Sequence, residues 1–285
     1  CNQTGTGCEA LTIPHNPNVS NGRMFVVPYR GEELEEQQRQ ASLRARMEPL
    51  VEMMQIKGES ECKAGMWQVF GEDELCNFEK MRGMSQKPVE DCEDDYSWGA
   101  IRGMGCQSRL DFARYALIEG LVEQDRIGIN PYRFGMIGST DNHNAAPGDV
   151  EEDNFRGCCA NTDTTVVERL ENKAQFAGSG RVARNPGGLV GLYAEENSRD
   201  SLFDAMQRRE AFGTSGTRIE PRFFAGSDLP EDICQQDFVD SGYTNGVAMG
   251  SELPAPMGSS PLFAAAASAD PEGTDLQRLQ IIKVW

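Results

Sequence analysis

The pattern of apolar and polar positions predicts strands and helices in alternation as far as residue 212. Short apolar runs indicate core strands at residues 9–13, 50–56, 134–139 and 189–194. Charged or helically spaced stretches indicate helices at residues 32–47, 108–127 and 166–174, and after Ser198. Alternation of this kind is typical of an α/β fold built on a parallel sheet or barrel.

Capping residues mark the boundaries of two of these helices. Ser108 and Asp111 match a capping box in which Asp replaces Glu, and Gly128 supplies a C-terminal stop. Ser198 is suited to cap the helix that follows the fourth strand. These positions predict where the second and fourth helices begin and where the second one ends.

The pattern changes near Gly216. The chain becomes rich in Gly, Pro, Ser and Phe, with short alternating runs at residues 218–224, 247–249, 261–266 and 279–284. We therefore predict two domains, an α/β region built on a parallel sheet or barrel over residues 1–216 and a small all-β, sandwich-like module over residues 217–285. Residues 60–106 form an irregular insertion in the first domain.

Charge and hydropathy exclude several classes of protein. The formal net charge of −18 argues against a nucleic-acid partner and against an anionic membrane surface. The apolar run at residues 262–267 is far shorter than the roughly 20 residues of a membrane span, so we expect no span. The first residues also lack the pattern of a signal peptide.

Nine cysteines are many for a cytosolic protein. Cys62 and Cys76 flank a polar stretch, and Cys92 and Cys106 flank another. One or two disulfides that close these loops and free buried cysteines are both compatible with this spacing. An odd number of cysteines leaves at least one thiol unpaired within the chain.

The two histidines of the chain are candidate metal ligands. His15 follows the first predicted strand, and Asp141 and His143 follow the third. In a parallel barrel the C-terminal ends of the strands open on one face, which would bring the three side chains together. Imidazole and carboxylate are good ligands for zinc, manganese or iron, and three ligands leave a position for water. The alternative is that both histidines are structural and hydrogen-bonded.

Other polar residues at predicted strand ends are weaker candidates. Glu195 and Glu196 follow the fourth strand and are candidates for the catalytic base, or for charges favoured at a helix N-terminus. Candidates for substrate contact share positions at or just after strand ends, and they are Asn16, Lys57, Asn144 and Arg199. A solvated surface position is the alternative for each.

Four stretches in the same order resemble a known bacterial family, the domain of unknown function 3604 (DUF3604). They are IPHNPNVSNG (13–22), EPLVEMMQIKGESEC (48–62), NPYRFGMIGSTDNHNAAPG (130–148) and GGLVGLYAEENSRDSLFDAMQRREAFGTSGTRI (187–219). The family resembles a branch of the polymerase-and-histidinol-phosphatase (PHP) superfamily of metal-dependent hydrolases. That resemblance implies a distorted (β/α) barrel with metal at the strand C-termini, held here by His15, Asp141 and His143.

The chain also departs from the superfamily pattern. It lacks the opening His-x-His motif, and it offers about four core strands where a whole barrel needs about seven. We therefore expect the C-terminal part of such a barrel, which as a fragment could be inactive. Open barrel edges would favour association between copies of the chain.

The function predicted on this basis is metal-dependent hydrolysis of a small molecule, most simply a phosphoester, by a metal-activated water. Carbamate or amide hydrolysis is the alternative chemistry. The alternative function is a non-catalytic module that binds a glycan, a peptide or a partner protein. The number of cysteines and the resemblance together favour a periplasmic or extracellular location.

Overall fold

The computed structural model describes residues 7, 9–64, 73–80, 107–151, 153, 185–254 and 260–285. Four α-helices lie within these ranges, namely α1 (Leu34–Met47), α2 (Ala113–Ile127), α3 (Arg199–Gln207) and α4 (Phe238–Asn245). None of the helices in the described ranges is long and apolar enough to cross a membrane. Short 3-10 turns occur at Pro17–Val19, Glu74–Asn77, Arg109–Asp111 and Ile233–Gln235.

Eight short strands accompany these helices. They are β1 (Leu50–Gln55), β2 (Gly58–Glu59), β3 (Gly135–Gly138), β4 (Leu189–Leu192), β5 (Ala211–Thr214), β6 (Glu220–Gly226), β7 (Val247–Ala248) and β8 (Leu262–Ser268). They form three small sheets, with the strand orders β2-β1-β3, β4-β5 and β7-β6-β8. One strand pair, β1 with β3, is parallel, and the other four described pairs are antiparallel.

The parallel β1–β3 pair belongs to the first of the three sheets. Leu50 pairs with Gly135 at one end and Met54 with Gly138 at the other, with a shift of register between Glu52 and Met54. β1 is buried along most of its length, as expected for a strand covered on both faces. Because the two strands run in the same direction, the loops after them leave from the same edge of the sheet.

The antiparallel β4–β5 pair, whose strands are connected through α3, packs against β3. A Cβ atom at Gly138 would lie 2.6 Å from the Thr214 carbonyl oxygen and 2.8 Å from that of Leu189, so only glycine allows this approach. Leu189 pairs with Thr214, and Leu192 pairs with Ala211. The beginning of β4 therefore lies beside the end of β3, and β4 runs antiparallel to β3.

The main core lies between β1 and the helices α1 and α2. Its centre is aromatic, with Phe25 and Tyr132 almost fully buried and their ring centroids 5.6 Å apart. The Tyr132 hydroxyl donates a hydrogen bond to the Phe25 carbonyl at 2.7 Å, and the Arg44 guanidinium lies 4.7 Å from the Tyr132 ring centroid. These contacts attach residues 24–29 to the helical layer.

The third sheet carries a helix on one face. β6 lies in the middle, paired over Glu220–Gly226 with β8 and at Phe224 and Ala225 with β7. Phe224 is buried, and the rings of Phe238 and Tyr243 from α4 pack on it at centroid distances of 5.5 and 5.1 Å. The C-terminal region is thus a three-stranded antiparallel sheet covered by a helix.

The structure overturns the predicted fold class. Within the described residues the strands form small, mostly antiparallel sheets and no closed (β/α) barrel. The prediction failed because apolar runs of four to six residues reveal a buried strand but not its direction. The C-terminal region is not all-β or sandwich-like, because α4 takes the place of a second sheet. The predicted self-association depended on open barrel edges. Because the described residues form no barrel, that argument no longer supports it.

Several local predictions have clear outcomes. The predicted strands at 9–13 and 279–284 are irregular, whereas β2, β5 and α4 were not predicted. Ser108 and Asp111 form the predicted capping box, but on a 3-10 turn that precedes α2, and Gly128 ends α2 in the left-handed conformation. The helix predicted at 166–174 and the Cys92 and Cys106 pair lie outside the described residues.

A disulfide joins Cys62 and Cys76, with Cα atoms 5.1 Å apart. Both cysteines are buried against Phe112 and Tyr115 of the segment that begins α2. The loop-closing alternative is therefore the one realised at this pair. The bridge joins the residues after β2 to the 3-10 turn at Glu74–Asn77, and the packing on Phe112 and Tyr115 holds both against the beginning of α2.

Candidate functional site

A cluster of polar side chains lies at the edge of the sheet where β1 and β3 end. Lys57 follows β1, and Asp141 and His143 follow β3. His15 comes from the irregular segment beside β1, which is attached by a 3.0 Å hydrogen bond from the Glu52 amide to the Pro14 carbonyl. The structure therefore brings His15, Asp141 and His143 to one edge, although the surrounding fold is not a barrel.

Glu52 anchors His15 from inside the sheet. His15 Nδ1 lies 2.7 Å from Glu52 Oε2, and the Glu52 side chain is only 6% exposed. The Ser139 hydroxyl donates to Glu52 Oε1, and the Asn16 amide donates to Oε2 at 3.3 Å. Because an ionised carboxylate only accepts, Nδ1 of His15 carries the hydrogen of this bond. A neutral His15 then keeps its lone pair on Nε2.

Asp141 lies next to both histidines. Its Oδ1 atom is 3.6 Å from His15 Nε2 and 3.3 Å from His143 Nε2, and Lys57 Nζ forms an ion pair with Oδ2. Asp141 has φ = +48°, a backbone conformation that is unusual for a residue other than glycine. The surroundings maintain this conformation, which directs the carboxylate between the two imidazoles.

Asn16 adds an amide to the same cluster. Its Nδ2 atom lies 2.6 Å from His15 Nε2, as expected for donation to the imidazole lone pair. Its Oδ1 atom is buried and has no hydrogen-bond partner among the described residues. Asn16 is also left-handed, with φ = +55°. An unpaired buried oxygen costs free energy, so a ligand or ion that it could contact would be favoured here.

The donor types of this cluster suit a divalent metal ion, but the ligand atoms of His15, Asp141 and His143 do not all lie within 4.8 Å of one another in this structure. The cluster offers two imidazole nitrogens, the Asp141 carboxylate and the orphaned Asn16 oxygen, which are ligand types for zinc, manganese or iron. Two ligands at about 2.1 Å from a tetrahedral ion are roughly 3.4 Å apart, close to the 3.3 and 3.6 Å found around Asp141 Oδ1. Asp141 and one histidine can therefore share an ion as they stand, and the two imidazoles must move closer together for both to bind it. The Lys57 ammonium group, which pairs with Asp141, would compete with the metal ion for this carboxylate.

Two other clusters of acidic residues and cysteines surround Cys62. They are Cys62, Asp73 and Cys76, and Glu59, Glu61 and Cys62. The sulfur atoms of Cys62 and Cys76 are joined in the disulfide, so neither is available as a thiolate ligand. Arg114 pairs with both Glu61 and Asp73, and Lys80 pairs with Glu59. These carboxylates have cationic partners, as Asp141 has in Lys57. Without thiolates the two clusters keep only one and two ligands, whereas the histidine cluster offers three.

The turn that carries Lys57 is fixed by its neighbours. The Lys57 amide donates to Gln55 Oε1 at 2.6 Å, and Asn18 Nδ2 donates to the Lys57 carbonyl at 3.1 Å. Both partners are almost fully buried. The ammonium group is thus held beside Asp141 by a rigid turn.

Asp111 fixes the segment that leads away from His15. It is fully buried, and it accepts hydrogen bonds from the amides of Gly22 and Ser108 at 2.6 and 3.1 Å and from the Ser20 hydroxyl at 3.0 Å. Burial raises the pKa of Asp111 to about 7, although these hydrogen bonds act in the opposite direction. This carboxyl group connects residues 20–22 to the beginning of α2.

Glu195, Glu196 and Arg199 do not join the cluster. They follow the end of β4, where Leu192 pairs with Ala211 at the beginning of β5. Arg209, just before β5, lies against Gly135, since a Cβ atom at Gly135 would be 2.9 Å from Arg209 Cβ. The end of β4 therefore lies beside the beginning of β3. Glu195, Glu196 and Arg199 are all exposed. The antiparallel direction of β4 places them at the opposite edge of the sheet. Asn144 lies in the loop of Asp141 and His143, close to the cluster in sequence.

Sequence reasoning left Glu52 as a candidate without a role, with a solvated loop as the favoured interpretation, and it missed Ser139. Glu52 is an acidic residue inside the otherwise apolar run of β1, and a buried acid normally has a specific partner. That position was a usable signal, because an unpaired carboxylate would not be tolerated there. Ser139, directly after β3, carried no comparable signal, since its partner lies 87 positions away in the chain.

The family model described as a protein of unknown function, DUF3604, matches residues 1–285. No curated protein matches the chain, and no solved structure does. The match covers all four stretches on which the resemblance rested. The further relation to the PHP superfamily stays a prediction.

Proposed function

We propose that this chain, which belongs to the DUF3604 family, is a hydrolase that depends on a divalent metal ion. The observation that carries the proposal is the arrangement of His15, which Glu52 holds through Nδ1 so that its Nε2 atom faces Asp141. Carboxylate–imidazole pairs of this kind orient histidine ligands in metalloproteins. The same carboxylate of Asp141 is shared with His143.

In this proposal His15, Asp141 and His143 hold zinc, manganese or iron, and Glu52 is a positioning residue. When bound, the ion supplies Lewis acidity that lowers the pKa of a coordinated water toward neutrality. Glu52 keeps the hydrogen of His15 on Nδ1, so the lone pair stays on Nε2, where a metal ion would replace the hydrogen bond from Asn16 Nδ2. Ser139 satisfies the second oxygen of Glu52, so that the carboxylate stays fixed in the interior.

Lys57 and the two asparagines are proposed to contact the substrate. The Lys57 ammonium group pairs with Asp141 at this edge of the sheet. It could donate a charged hydrogen bond to an anionic oxygen of the substrate bound there. Asn16 and Asn144 flank the histidines along the chain and present amide groups. Glu195, Glu196 and Arg199 belong to the opposite edge and have no role in this arrangement.

The substrate class proposed is a small phosphoester, with carbamate or amide as the alternative chemistry. This choice follows from the resemblance to metal-dependent hydrolases and from the cationic Lys57 beside the ligands. We also propose an oxidising compartment, periplasmic or extracellular, because the Cys62–Cys76 disulfide is typical of proteins found there.

Metal binding is tested first. Wild-type protein, His143→Ala, and the double variant His15→Ala/His143→Ala are stripped with chelator, dialysed against zinc, manganese or ferrous iron, and measured by plasma mass spectrometry. Glu196→Gln, an exposed carboxylate at the other edge, is the matched control. We expect near-stoichiometric metal in wild type and control and a loss in both histidine variants. Equal metal content in the double variant and wild type would refute the site.

Catalysis is tested with the metal-loaded protein on p-nitrophenyl phosphate, bis-p-nitrophenyl phosphate, and aryl carbamate and amide analogues. Metal-dependent turnover that is absent from His143→Ala supports the hydrolase, and the panel identifies the bond that is cleaved. Stoichiometric metal without turnover of any substrate would contradict it and favour the alternative of a non-catalytic module that binds a glycan, peptide or partner protein.

A further inference from the structure

A second site is indicated by a cavity of about 380 Å³ at the opposite edge of β3. It lies between the last turns of α1, the connection from α2 to β3, and Arg209, which precedes β5. Its polar lining consists of Ser42, Arg46, Asn130, Arg133, Arg209 and Glu252. Three arginines around one cavity are unexpected in a chain whose formal net charge is −18.

Arg209 is held rigidly in the wall of this cavity. Its Nε atom donates to the Gly250 carbonyl at 2.7 Å, and its Nη1 atom donates to the Arg133 carbonyl at 3.4 Å. The residue has φ = +63°, so its backbone conformation is maintained by these surroundings rather than by local preference. Burial lowers the pKa of the Arg209 guanidinium, Glu252 acts in the opposite direction, and the charge of Arg133 adds to the lowering.

The negative groups at the cavity do not balance the three guanidinium charges. Arg133 pairs with Glu252, whose side chain is 66% exposed, and donates to Gln124 at 2.9 Å. Arg46 is exposed and forms no hydrogen bond or ion pair with any residue in the described ranges. The C-terminal ends of α1 and α2 contribute roughly half a negative charge each. With Glu252 they offset about two of the three positive charges, so roughly one remains.

We propose that this cavity binds a small organic anion that carries a phosphate or carboxylate group. Guanidinium groups present planar forks of N–H donors that match such oxyanions, and the cavity volume is within the range of small-molecule sites. Arg46 and Arg133 contact the anion, and the buried Arg209 supplies a fixed positive charge. Asn130 and Ser42 offer neutral hydrogen bonds to the remainder of the ligand.

This site is separate from the histidine cluster. It borders the beginning of β3, where Gly135 approaches Arg209, whereas Asp141 and His143 follow the end of the same strand. The proposal therefore does not depend on the metal site or on hydrolysis. An anion bound here would be recognised by a part of the chain to which the hydrolase proposal assigns no role.

The test is calorimetric titration of the chelator-treated full chain with inorganic phosphate and, separately, with citrate, in chloride buffer of matched ionic strength. Variants are Arg46→Gln and Arg133→Gln, and the matched control is Arg39→Gln, an exposed arginine of α1 paired with Glu36 away from the cavity. Including His15→Ala/His143→Ala separates binding at this cavity from binding near the histidines.

We expect saturable binding of one anion per chain by wild type, Arg39→Gln and the double histidine variant. Affinity should fall about tenfold or more in Arg46→Gln and Arg133→Gln, as for loss of one charged hydrogen bond. Preference for phosphate over citrate would identify a phosphorylated ligand, and the reverse a polycarboxylate. Absence of saturable binding to both anions, or unchanged affinity in both cavity variants, would overturn the proposal.

Discussion

Glu52 and His15 are 37 positions apart in the chain, yet Glu52 Oε2 lies 2.7 Å from His15 Nδ1 at the edge of the central sheet. Glu52 is buried in β1, whereas the His15 side chain is 49% exposed. The interior residue therefore determines the orientation and the tautomer of the exposed one. The proposed metal site depends on this contact, because it keeps the lone pair of His15 on Nε2, where a metal ion would replace the hydrogen bond from Asn16 Nδ2.

Replacing Glu52 by Gln should weaken metal binding without abolishing it. Glutamine keeps the shape of the side chain but loses the charge that favours the Nδ1–H tautomer of His15, and outer contacts of this kind are worth about 10- to 100-fold in metal affinity. Competition titration with a chromophoric chelator measures the change. Glu35→Gln, on the exposed surface of α1, is the control. Equal affinities for the two variants would contradict the positioning role.

Replacing Lys57 by Met should strengthen metal binding and reduce turnover of anionic substrates. The ammonium group pairs with Asp141 Oδ2 and repels a divalent ion bound nearby, so its removal frees a ligand and relieves like-charge repulsion. We expect metal affinity to rise several-fold and KM for a phosphoester to rise. Isothermal titration and steady-state kinetics separate the two effects. A fall in metal affinity would show that Lys57 does not compete with the metal.

Asp111→Asn should destabilise the protein by about 1–3 kcal/mol, because the new amide cannot accept all the hydrogen bonds that the carboxylate receives. Oδ1 accepts from the Gly22 amide and the Ser20 hydroxyl, and Oδ2 accepts from the Ser108 amide. If the new NH₂ group took the place of Oδ2, it would face the Ser108 amide, donor against donor. Urea denaturation measures the difference. Asp125→Asn, on the same helical layer, is the control and should change stability little.

The cost of Asp111→Asn should also depend on pH. Burial raises the pKa of Asp111 from its usual 3.8 to about 7 in the folded protein. Between these values the folded state holds more protons than the unfolded state, so the contribution of this group to the free energy of unfolding falls as pH rises. The difference between wild type and variant should therefore be larger at pH 5 than at pH 8. A stability difference between wild type and Asp111→Asn that grows toward pH 8 would contradict the raised pKa of Asp111.

Replacing both Cys62 and Cys76 by Ser should lower the free energy of unfolding by about 3 kcal/mol, the value typical of a loop of about 15 residues. The two cysteines are 14 positions apart and pack against Phe112 and Tyr115. Denaturant titration under oxidising conditions measures the loss. Cys234→Ser removes an exposed free thiol and should have no effect. Equal stability of wild type and the double variant would show that the bridge contributes little.

Much of the secondary structure was predictable because its signals are local. The capping box of Ser108 and Asp111, the stop at Gly128 and the cap at Ser198 depend on residues within four positions of each other, and all three occur. The strand predicted at residues 9–13 failed because this segment has single backbone hydrogen bonds to its neighbours, such as Thr12 to Met47, and no ladder. β5 was missed because its four residues include a glycine and carry little apolar pattern.

The amino-acid sequence by itself determined where most of the helices and the buried strands lie, which family the chain belongs to, and that His15, Asp141 and His143 are candidate ligands. The tertiary structure decided the direction of β4, which separates Glu195 and Glu196 from the histidines, and the contact of Glu52 with His15. The reason is physical. Periodicity and capping arise from neighbouring residues, whereas strand direction and side-chain pairing depend on the packing of segments that are distant along the chain.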